Sequence, residues 1–551
     1  MSVQATFCAT LVDEWARRGV TEAVVCPGSR STPLALSLAE RFRTHVRLDE
    51  RSAGFYALGL AAASGRPVVV CVTSGTAAAE LLASVVEAHH AGVPLIVCTA
   101  DRPPELHDTG ANQTIEQAGL FASVARWASA PGVPEEGQAA TWRPLAARSF
   151  AEAIRGAWGP GPVHLNLAFR EPLVGAPGEL PARPGPAVEP GPAPPCPGLH
   201  QPLGGRGILV VGGLAARPAG PAGVLALAEG LRWPVLADPL SGCRVPGTIA
   251  AADAIVRTGA PQPDTVVLLG APWLSKALDD YVAGAARAGA RVVVVDPWRH
   301  WPDPSRVASE FHQADTDAWL SAALEGASAC EPAWLEGWRR REASAQAAID
   351  EALGTALSEP QVARAVHRHA AARGATVVVS ASMPIRDLEW FAAPEATPPR
   401  VLANRGANGI DGVVSTAAGV AAASPGGPGV LALLGDLAFL HDVSGLVGLP
   451  DVPCTFVVVD NGGGGIFSFL PQAGSLEAPR FEQLFGTPPT NDVAAVARGF
   501  GLEVREVAAL GELAAALEGR APAVVRVRVP DRRQNVALHQ ALEEAVRRAL
   551  A

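Results

Sequence analysis

Three polar side chains carry the most specific chemical suggestion in this chain. Asp436 closes an apolar run, Gly429 to Gly435, and Asn461 follows the next such run, Cys454 to Val459, after Asp460. Both runs read as β-strands, which puts a carboxylate and a side-chain amide at strand carboxyl ends. In an open α/β sheet ligands bind along that edge. Two oxygen donors there suit a hard divalent cation such as Mg²⁺, and a cation so held could grip a diphosphate. The third side chain is Glu50, in Leu48-Asp-Glu-Arg-Ser-Ala-Gly-Phe-Tyr-Ala57, where three charges open a helix of small apolar residues. Asp49 or Ser52 can cap that helix. Glu50 is then either one more helix-start carboxylate or a group free for proton transfer.

Other polar turns follow apolar runs in the same way. Cys26-Pro-Gly-Ser-Arg30-Ser-Thr-Pro33 can cap a helix through its hydroxyls, while Arg30 suits bidentate binding of a carboxylate or phosphate. Thr73-Ser74-Gly75 could line a cofactor or cap a helix. Arg102 ends the next run, and Asn112 and Gln113 follow in a polar loop. Ala403 to Gly412 packs Asn404, Arg405, Asn408 and three glycines around Ile410, a composition suited to close contact with a ligand. Asp460 to Phe467 runs through four glycines, Gly463 among them, into Ile466 and Phe467. Gly205-Arg-Gly-Ile-Leu-Val-Val-Gly-Gly213 lacks the spacing of a dinucleotide turn and reads as a strand with a tight turn.

The elements that position these residues alternate strand and helix three times, which predicts an α/β fold of three domains, each a mostly parallel sheet flanked by helices. Residues 1–175 form the first domain, with strands near 23–26, 68–72, 95–99 and 163–167 and helices near 7–18, 53–64 and 77–91. Residues 176–203 are a Pro/Gly-rich linker. Residues 204–355 form a central domain that ends in a helical region carrying Trp319, Trp334 and Trp338, and residues 356–551 form the third.

At 551 residues and 48% hydrophobic content the chain can bury several cores. Its net charge of −10, without a basic block, argues against a nucleic-acid surface and gives no pull toward anionic lipid. The eight cysteines have no metal-like spacing, and the N-terminus has no apolar leader core, so a cytoplasmic chain with reduced thiols is expected. Arginine has almost wholly displaced lysine; Lys276 is the only one.

In chain order, PGSRSTPLA, DERSAGFYALGLA, TSGTAAAELLASVVEAHHAGVPLIVCTADRP, TGANQTIEQ, NRGANGIDG, LLGDLAFLHD and VVVDNGGGGIFSFLP resemble the thiamine-diphosphate-dependent 2-oxoacid decarboxylase and synthase superfamily. The likeness is closer still to the branch that works on 2-oxoglutarate and isochorismate in menaquinone biosynthesis. The resemblance implies a thiamine-diphosphate-binding fold with a central Rossmann-like domain. It implies a transferase that decarboxylates 2-oxoglutarate and adds the succinyl carbanion equivalent to isochorismate. It also implies a homodimer or homotetramer in which the first domain of one copy faces the third domain of another.

Carried over residue by residue, Glu50 pairs with the aminopyrimidine and Gln113 joins it as a catalytic residue. Thr73, Ser74, Gly75 and Gly435 line the cofactor, and Ile410 is the wedge that bends it. Asp436, Asn461 and the carbonyl of Gly463 ligate Mg²⁺, with Mn²⁺ as the alternative. Arg30, Arg102, Asn112, Lys276, Ser382, Arg386 and Arg405 meet the substrates, and Ile466 and Phe467 pack against the ring. The two substrates bring four carboxylates, so an acidic chain must gather cations locally.

Two departures stand out. The superfamily's Gly-Asp-Gly and paired Asn are Gly435-Asp436-Leu437 and Asp460-Asn461 here, and the basic residue expected after Lys276 is Ala277. Another thiamine-dependent decarboxylase or carboligase remains the alternative enzyme, and a non-catalytic nucleotide-binding protein the alternative of another class.

Overall fold

Runs of β-branched residues make the central strands. Val68–Val72 is Val-Val-Val-Cys-Val and buried at every position, as a strand covered on both faces must be. A computed structural model describes residues 1–183, 201–213, 221–298, 300–449, 452–519 and 521–551. It contains three all-parallel sheets in two compact units.

The first unit comprises Met1–Gly191, Asn404–Pro425 and His441–Val452. Its strands are β1 (Glu22–Val25), β2 (Arg43–Val46), β3 (Val68–Val72), β4 (Leu95–Asp101), β5 (Trp127–Gly132) and β6 (Pro162–Ala168), in the order β2-β1-β3-β4-β6-β5. The core lies between this sheet and its helices, around Phe7, Trp15, Leu38, Ile96 and Trp142. The described start of the Pro/Gly-rich segment is pinned to the N-terminal helix: Gly178 N–H donates to Thr6 at 2.8 Å and Arg183 reaches Asp13 at 3.2 Å. Residues 184–200 of that segment lie outside the described residues.

Within this unit the helix Glu50–Ser64 packs backbone against backbone on Val413–Ala423. A Cβ on Gly59 would stand 2.1 Å from the Thr416 carbonyl oxygen, and one on Gly419 2.1 Å from that of Tyr56. Two glycines therefore fix how the residues after Ala403 approach the helix that begins at Glu50.

The second unit comprises Pro192–Ala403, Gly426–Leu440 and Pro453–Ala551. Its first sheet has β7 (Gly207–Val211), β8 (Val235–Ala237), β9 (Thr265–Leu269), β10 (Arg291–Val295) and β11 (Glu310–His312), ordered β11-β10-β9-β7-β8. Gly207 opens β7 where the Trp233 ring leaves no room for a Cβ, so this glycine serves packing. The helices Thr316–Glu325 and Pro332–Leu353 bring Trp319, Trp334 and Trp338 into this core, joined by Leu542 and Val546 of the C-terminal helix Arg532–Leu550.

The second sheet of this unit has β12 (Thr376–Val379), β13 (Val401–Ala403), β14 (Val430–Gly435), β15 (Cys454–Asp460), β16 (Glu503–Val507) and β17 (Ala523–Arg528), ordered β13-β12-β14-β15-β17-β16. That order repeats the N-terminal sheet strand for strand. In both, the chain reverses direction across the sheet beside the first strand, so the turns after β1, β3 and β4 correspond to those after β12, β14 and β15. Arg30, Thr73 and Arg102 thus hold places equivalent to Ser382, Asp436 and Asn461.

Candidate active site

In the first unit, Asp49 is the residue that caps the helix Glu50–Ser64: its carboxylate accepts the Ser52 N–H at 2.9 Å. Glu50 is left over, half-buried at the first helical position. Burial holds its carboxyl above the ordinary range, and the charges of Asp49 and Glu80 push the same way. A carboxyl so placed keeps its proton more readily, which is what sharing one with a ring nitrogen requires.

The turn after β3 is shaped by Gly75, at φ +82°. Its N–H donates to Gln117 Oε1 at 2.7 Å, and Gln113 Nε2 donates to the Ser74 carbonyl at 2.9 Å. Ser74 Oγ is buried and, among the described residues, has no hydrogen-bond partner, an exception for a buried polar atom.

Beside this turn, Arg30 is 7% exposed, donates to the Phe169 carbonyl at 3.0 Å and lies 3.3 Å from Glu171. Among the described residues its Nε has no partner. Burial lowers its pKa, and the charge of Arg102 lowers it further. Two guanidiniums at one sheet edge offer donors that an anion could take. Arg102 Nε and Nη2 donate to the Asn112 carbonyl at 3.2 and 3.0 Å, which ties the Asn112-Gln113 loop to the same edge.

The loop after Ala403 belongs to this unit as well. Buried Glu87 accepts the N–H groups of Gly406, Ala407 and Asn408 at 2.8, 2.7 and 3.0 Å, and Gly412, at φ +68°, admits the Phe55 ring where a Cβ would clash. These contacts hold Arg405 and half-buried Ile410 in the unit that carries Glu50.

In the second unit, Asp436 is 1% exposed at the end of β14. Its oxygens accept the N–H groups of Leu437 at 2.6 Å and Gly463 at 2.8 Å. Burial pushes its pKa up to about 6. Asn461 donates through Nδ2 to Glu359 Oε1 at 2.9 Å, and its Oδ1 is buried without a partner among the described residues. The Gly463 carbonyl accepts the Gly465 N–H at 2.8 Å with one lone pair, leaving the other. A buried carboxylate, an unpartnered amide oxygen and a carbonyl are the donor set a Mg²⁺ ion takes.

Asp460 is accounted for differently. Arg526 reaches its Oδ2 through Nε at 2.7 Å and Nη2 at 2.6 Å, so its charge is already answered. Leu437 stands where the superfamily has glycine and keeps the backbone N–H that Asp436 needs.

The helix Met383–Phe391 carries Arg386, whose Nη1 donates to the Ser382 carbonyl at 2.6 Å. Ser382 has φ +73°, a conformation that costs a non-glycine residue energy and clusters at functional sites. The loop before Lys276 is tied to this helix, because Leu274 N–H donates to Glu389 Oε2 at 3.0 Å. Lys276 itself is exposed in the first turn of the helix Lys276–Arg287, which Ser275 caps, and Ala277 packs against the central core. Ile466 and Phe467 lie half-buried in the turn after β15.

The expected residues therefore fall into two sets. Glu50, Thr73, Ser74, Gly75, Arg30, Arg102, Asn112, Gln113, Arg405 and Ile410 lie in the first unit. Lys276, Ser382, Arg386, Gly435, Asp436, Asn461, Gly463, Ile466 and Phe467 lie in the second. Two residues were not foreseen. Glu359 orients Asn461, and Gln117 holds Gly75; Gln117 sits inside the TGANQTIEQ segment, but nothing in its spacing separates a buried amide from a solvated one.

Three protein-family models match in succession: the N-terminal thiamine pyrophosphate binding domain over residues 5–120, the middle domain over 199–378 and the C-terminal binding domain over 390–527. The chain is 44% identical to the 2-succinyl-5-enolpyruvyl-6-hydroxy-3-cyclohexene-1-carboxylate synthase of Thermobifida fusca, with all of both chains covered. It is 42% identical to that of Rubrobacter xylanophilus, covering 97% of this chain and 96% of the relative. The match to the Geobacillus kaustophilus synthase is 40%, covering 99% and 98%. The chain belongs to the 2-succinyl-5-enolpyruvyl-6-hydroxy-3-cyclohexene-1-carboxylate synthase family of thiamine pyrophosphate enzymes.

Proposed function

We propose that this chain decarboxylates 2-oxoglutarate and adds the resulting succinyl unit to isochorismate, forming 2-succinyl-5-enolpyruvyl-6-hydroxy-3-cyclohexene-1-carboxylate for menaquinone biosynthesis. The observation that carries this reading is that the chain holds both a buried Asn461 Oδ1, without a partner among the described residues, in the turn that Asp436 also holds, and a half-buried Glu50 whose carboxyl pKa burial raises and which its helix does not need as a cap. Thiamine diphosphate, when bound, supplies the electron sink that lets a 2-oxoacid lose carbon dioxide.

The protein's own residues do the rest. Asp436, Asn461 and the Gly463 carbonyl hold Mg²⁺ or Mn²⁺ and through it the diphosphate. Glu50 exchanges a proton with the aminopyrimidine ring. The Thr73-Ser74-Gly75 turn, Gly435 and Ile410 shape the cofactor's surroundings, with Gln113 beside them as a catalytic residue. Arg30, Arg102, Arg386 and Arg405, with Lys276, Asn112 and Ser382, answer the substrate carboxylates, and Ile466 and Phe467 pack against the isochorismate ring. Each carboxylate taken out of water demands such partners.

The domain bounds that serve this reading are 1–175, 204–355 and 356–551. The working assembly is a homodimer or homotetramer in which Glu50 of one copy serves the cofactor bound by another copy. A cytoplasmic setting agrees with the seven described cysteines, all buried and free. Among the described residues no helix is long and apolar enough to cross a membrane.

The test is carbon dioxide release from 2-oxoglutarate and from pyruvate, each with thiamine diphosphate and Mg²⁺. Release from 2-oxoglutarate alone is expected. Preference for pyruvate would overturn the substrate assignment and favour another carboligase.

A further inference from the structure

The side-chain amide of Gln117 is the hub of a buried hydrogen-bond chain that joins two parts of the site. Gln117 is fully buried and uses both ends: Oε1 accepts the Gly75 N–H at 2.7 Å, while Nε2 donates to the Ala100 carbonyl at 3.1 Å and to Asn166 Oδ1 at 2.9 Å. Asn166 Nδ2 donates to Asp101 Oδ2 at 2.7 Å, and Asp101 Oδ1 accepts the Arg102 N–H at 2.7 Å. Thr99 Oγ1 donates to Asn166 Oδ1 at 2.8 Å and lies 2.8 Å from His164 Nε2. Since the Thr99 hydroxyl proton goes to Asn166, His164 Nε2 is the donor in its contact with Thr99.

One end of this chain is the cofactor-side turn. A Cβ on Gly75 would stand 2.7 Å from Gln113 Cγ, and Gln113 Nε2 donates to the Ser74 carbonyl at 2.9 Å, so Gln113 is packed on and bonded to this turn. The other end is the backbone of Arg102, whose guanidinium holds the Asn112 carbonyl. A buried network whose hub, Gln117, has both amide protons and its carbonyl engaged rigidifies whatever it connects.

We propose that Gln117 is a positioning residue that couples the Thr73–Gly75 turn to the Arg102 arm, setting together the placement of Gln113 and of the substrate-binding guanidinium. The inference rests on the function proposed above. Its structural half stands apart, because it concerns the backbone of the cofactor-free chain.

The test compares full-length Gln117→Met, which removes every hydrogen bond at similar size, with Gln117→Glu, which keeps an acceptor for Gly75 N–H and gives up the donors. Deuterium uptake without cofactor is read by mass spectrometry over residues 73–77 and 101–113. It is paired with thiamine diphosphate affinity in Mg²⁺ and with kcat and KM for 2-oxoglutarate. For Gln117→Met, faster uptake in both segments and an increase of about tenfold in both the cofactor Kd and KM are expected, with kcat falling less.

Gln117→Glu is expected to recover protection at 73–77 and cofactor affinity, but neither protection at 101–113 nor KM. Should Gln117→Met fail to fold, this split in Gln117→Glu decides alone. Parent-like uptake in both segments, or a variant that only lowers the melting temperature with KM and Kd unchanged, would overturn the proposal. A parent enzyme that ignores 2-oxoglutarate would instead sink the functional reading, and the uptake comparison would still judge the coupling.

Discussion

Glu50→Gln separates catalysis from folding at one helix start, because the structure divides the two jobs between neighbours. Asp49 does the capping, at 2.9 Å from Ser52 N–H, so Asp49→Ala should cost about 1 kcal/mol of stability while keeping the Glu50 carboxyl that moves the proton. Glu50 contributes only a carboxylate near the helix dipole, worth about 0.3–1 kcal/mol, and burial already works against its charge. The Glu50→Gln variant should therefore fold with a melting temperature close to the parent's. Its amide cannot share a proton, and losing a positioned acid–base group costs about 10²–10⁴ in rate. The assay is exchange of the thiazolium C2 proton of bound thiamine diphosphate in deuterated buffer, stopped by acid and read by NMR. Exchange slowed by that factor in Glu50→Gln, and changed far less in Asp49→Ala, where only the Asp49 charge beside the Glu50 carboxyl is lost, is the expected pair. Near-parent exchange in Glu50→Gln would refute the role given to this carboxyl.

Gly463→Ala should abolish Mg²⁺-dependent thiamine diphosphate binding in titration calorimetry, because φ is +123° and a Cβ would stand 2.2 Å from the Gly486 carbonyl oxygen; the backbone conformation alone costs about 1–3 kcal/mol. Arg386→Ala and Arg405→Ala should raise KM for 2-oxoglutarate by about 30-fold or more, the loss of one charged contact, and change cofactor Kd far less; equal weakening of both would count against a substrate role. Burial depresses His164 from 6.5 to about 4. A depressed histidine contributes stability above the unfolded pKa and loses it as pH falls through the folded one, here about 3 kcal/mol between pH 6.5 and 4. His164→Gln should flatten urea-unfolding stability across that window, and an unchanged slope would show that another group sets it.

Central strands were legible in the sequence, and of the edge strands only Val235–Ala237 was. Val68–Val72, Cys454–Asp460 and their kin are nearly all buried, so their apolar runs stand out. Arg43–Val46, Trp127–Gly132, Glu310–His312, Val401–Ala403 and Glu503–Val507 went unnoticed, and each lies at the border of its sheet. With one side open to solvent, Arg43-Thr-His-Val46 needs no apolar run to remain a strand. The helix expected over 77–91 is two, Thr76–Glu80 and Leu82–Ala91, because helical periodicity cannot see a break at Leu81.

The site was legible where chemistry sits at a strand end. Asp436, Asn461 and Thr73 are fixed by the strands before them, whereas the partners that orient them are far away in sequence. Glu359 lies 102 residues from Asn461, and Gln117 lies 42 from Gly75. Which of Asp49 and Ser52 caps the Glu50 helix was likewise a question of geometry, and the geometry chose Asp49.

The most direct measurement incubates the full-length protein with 2-oxoglutarate and isochorismate, with and without thiamine diphosphate and Mg²⁺, and weighs the product by mass spectrometry. A species equal to the two substrates less carbon dioxide, formed only when both cofactors are present, is the result expected. Unaltered isochorismate in the complete mixture would contradict the account.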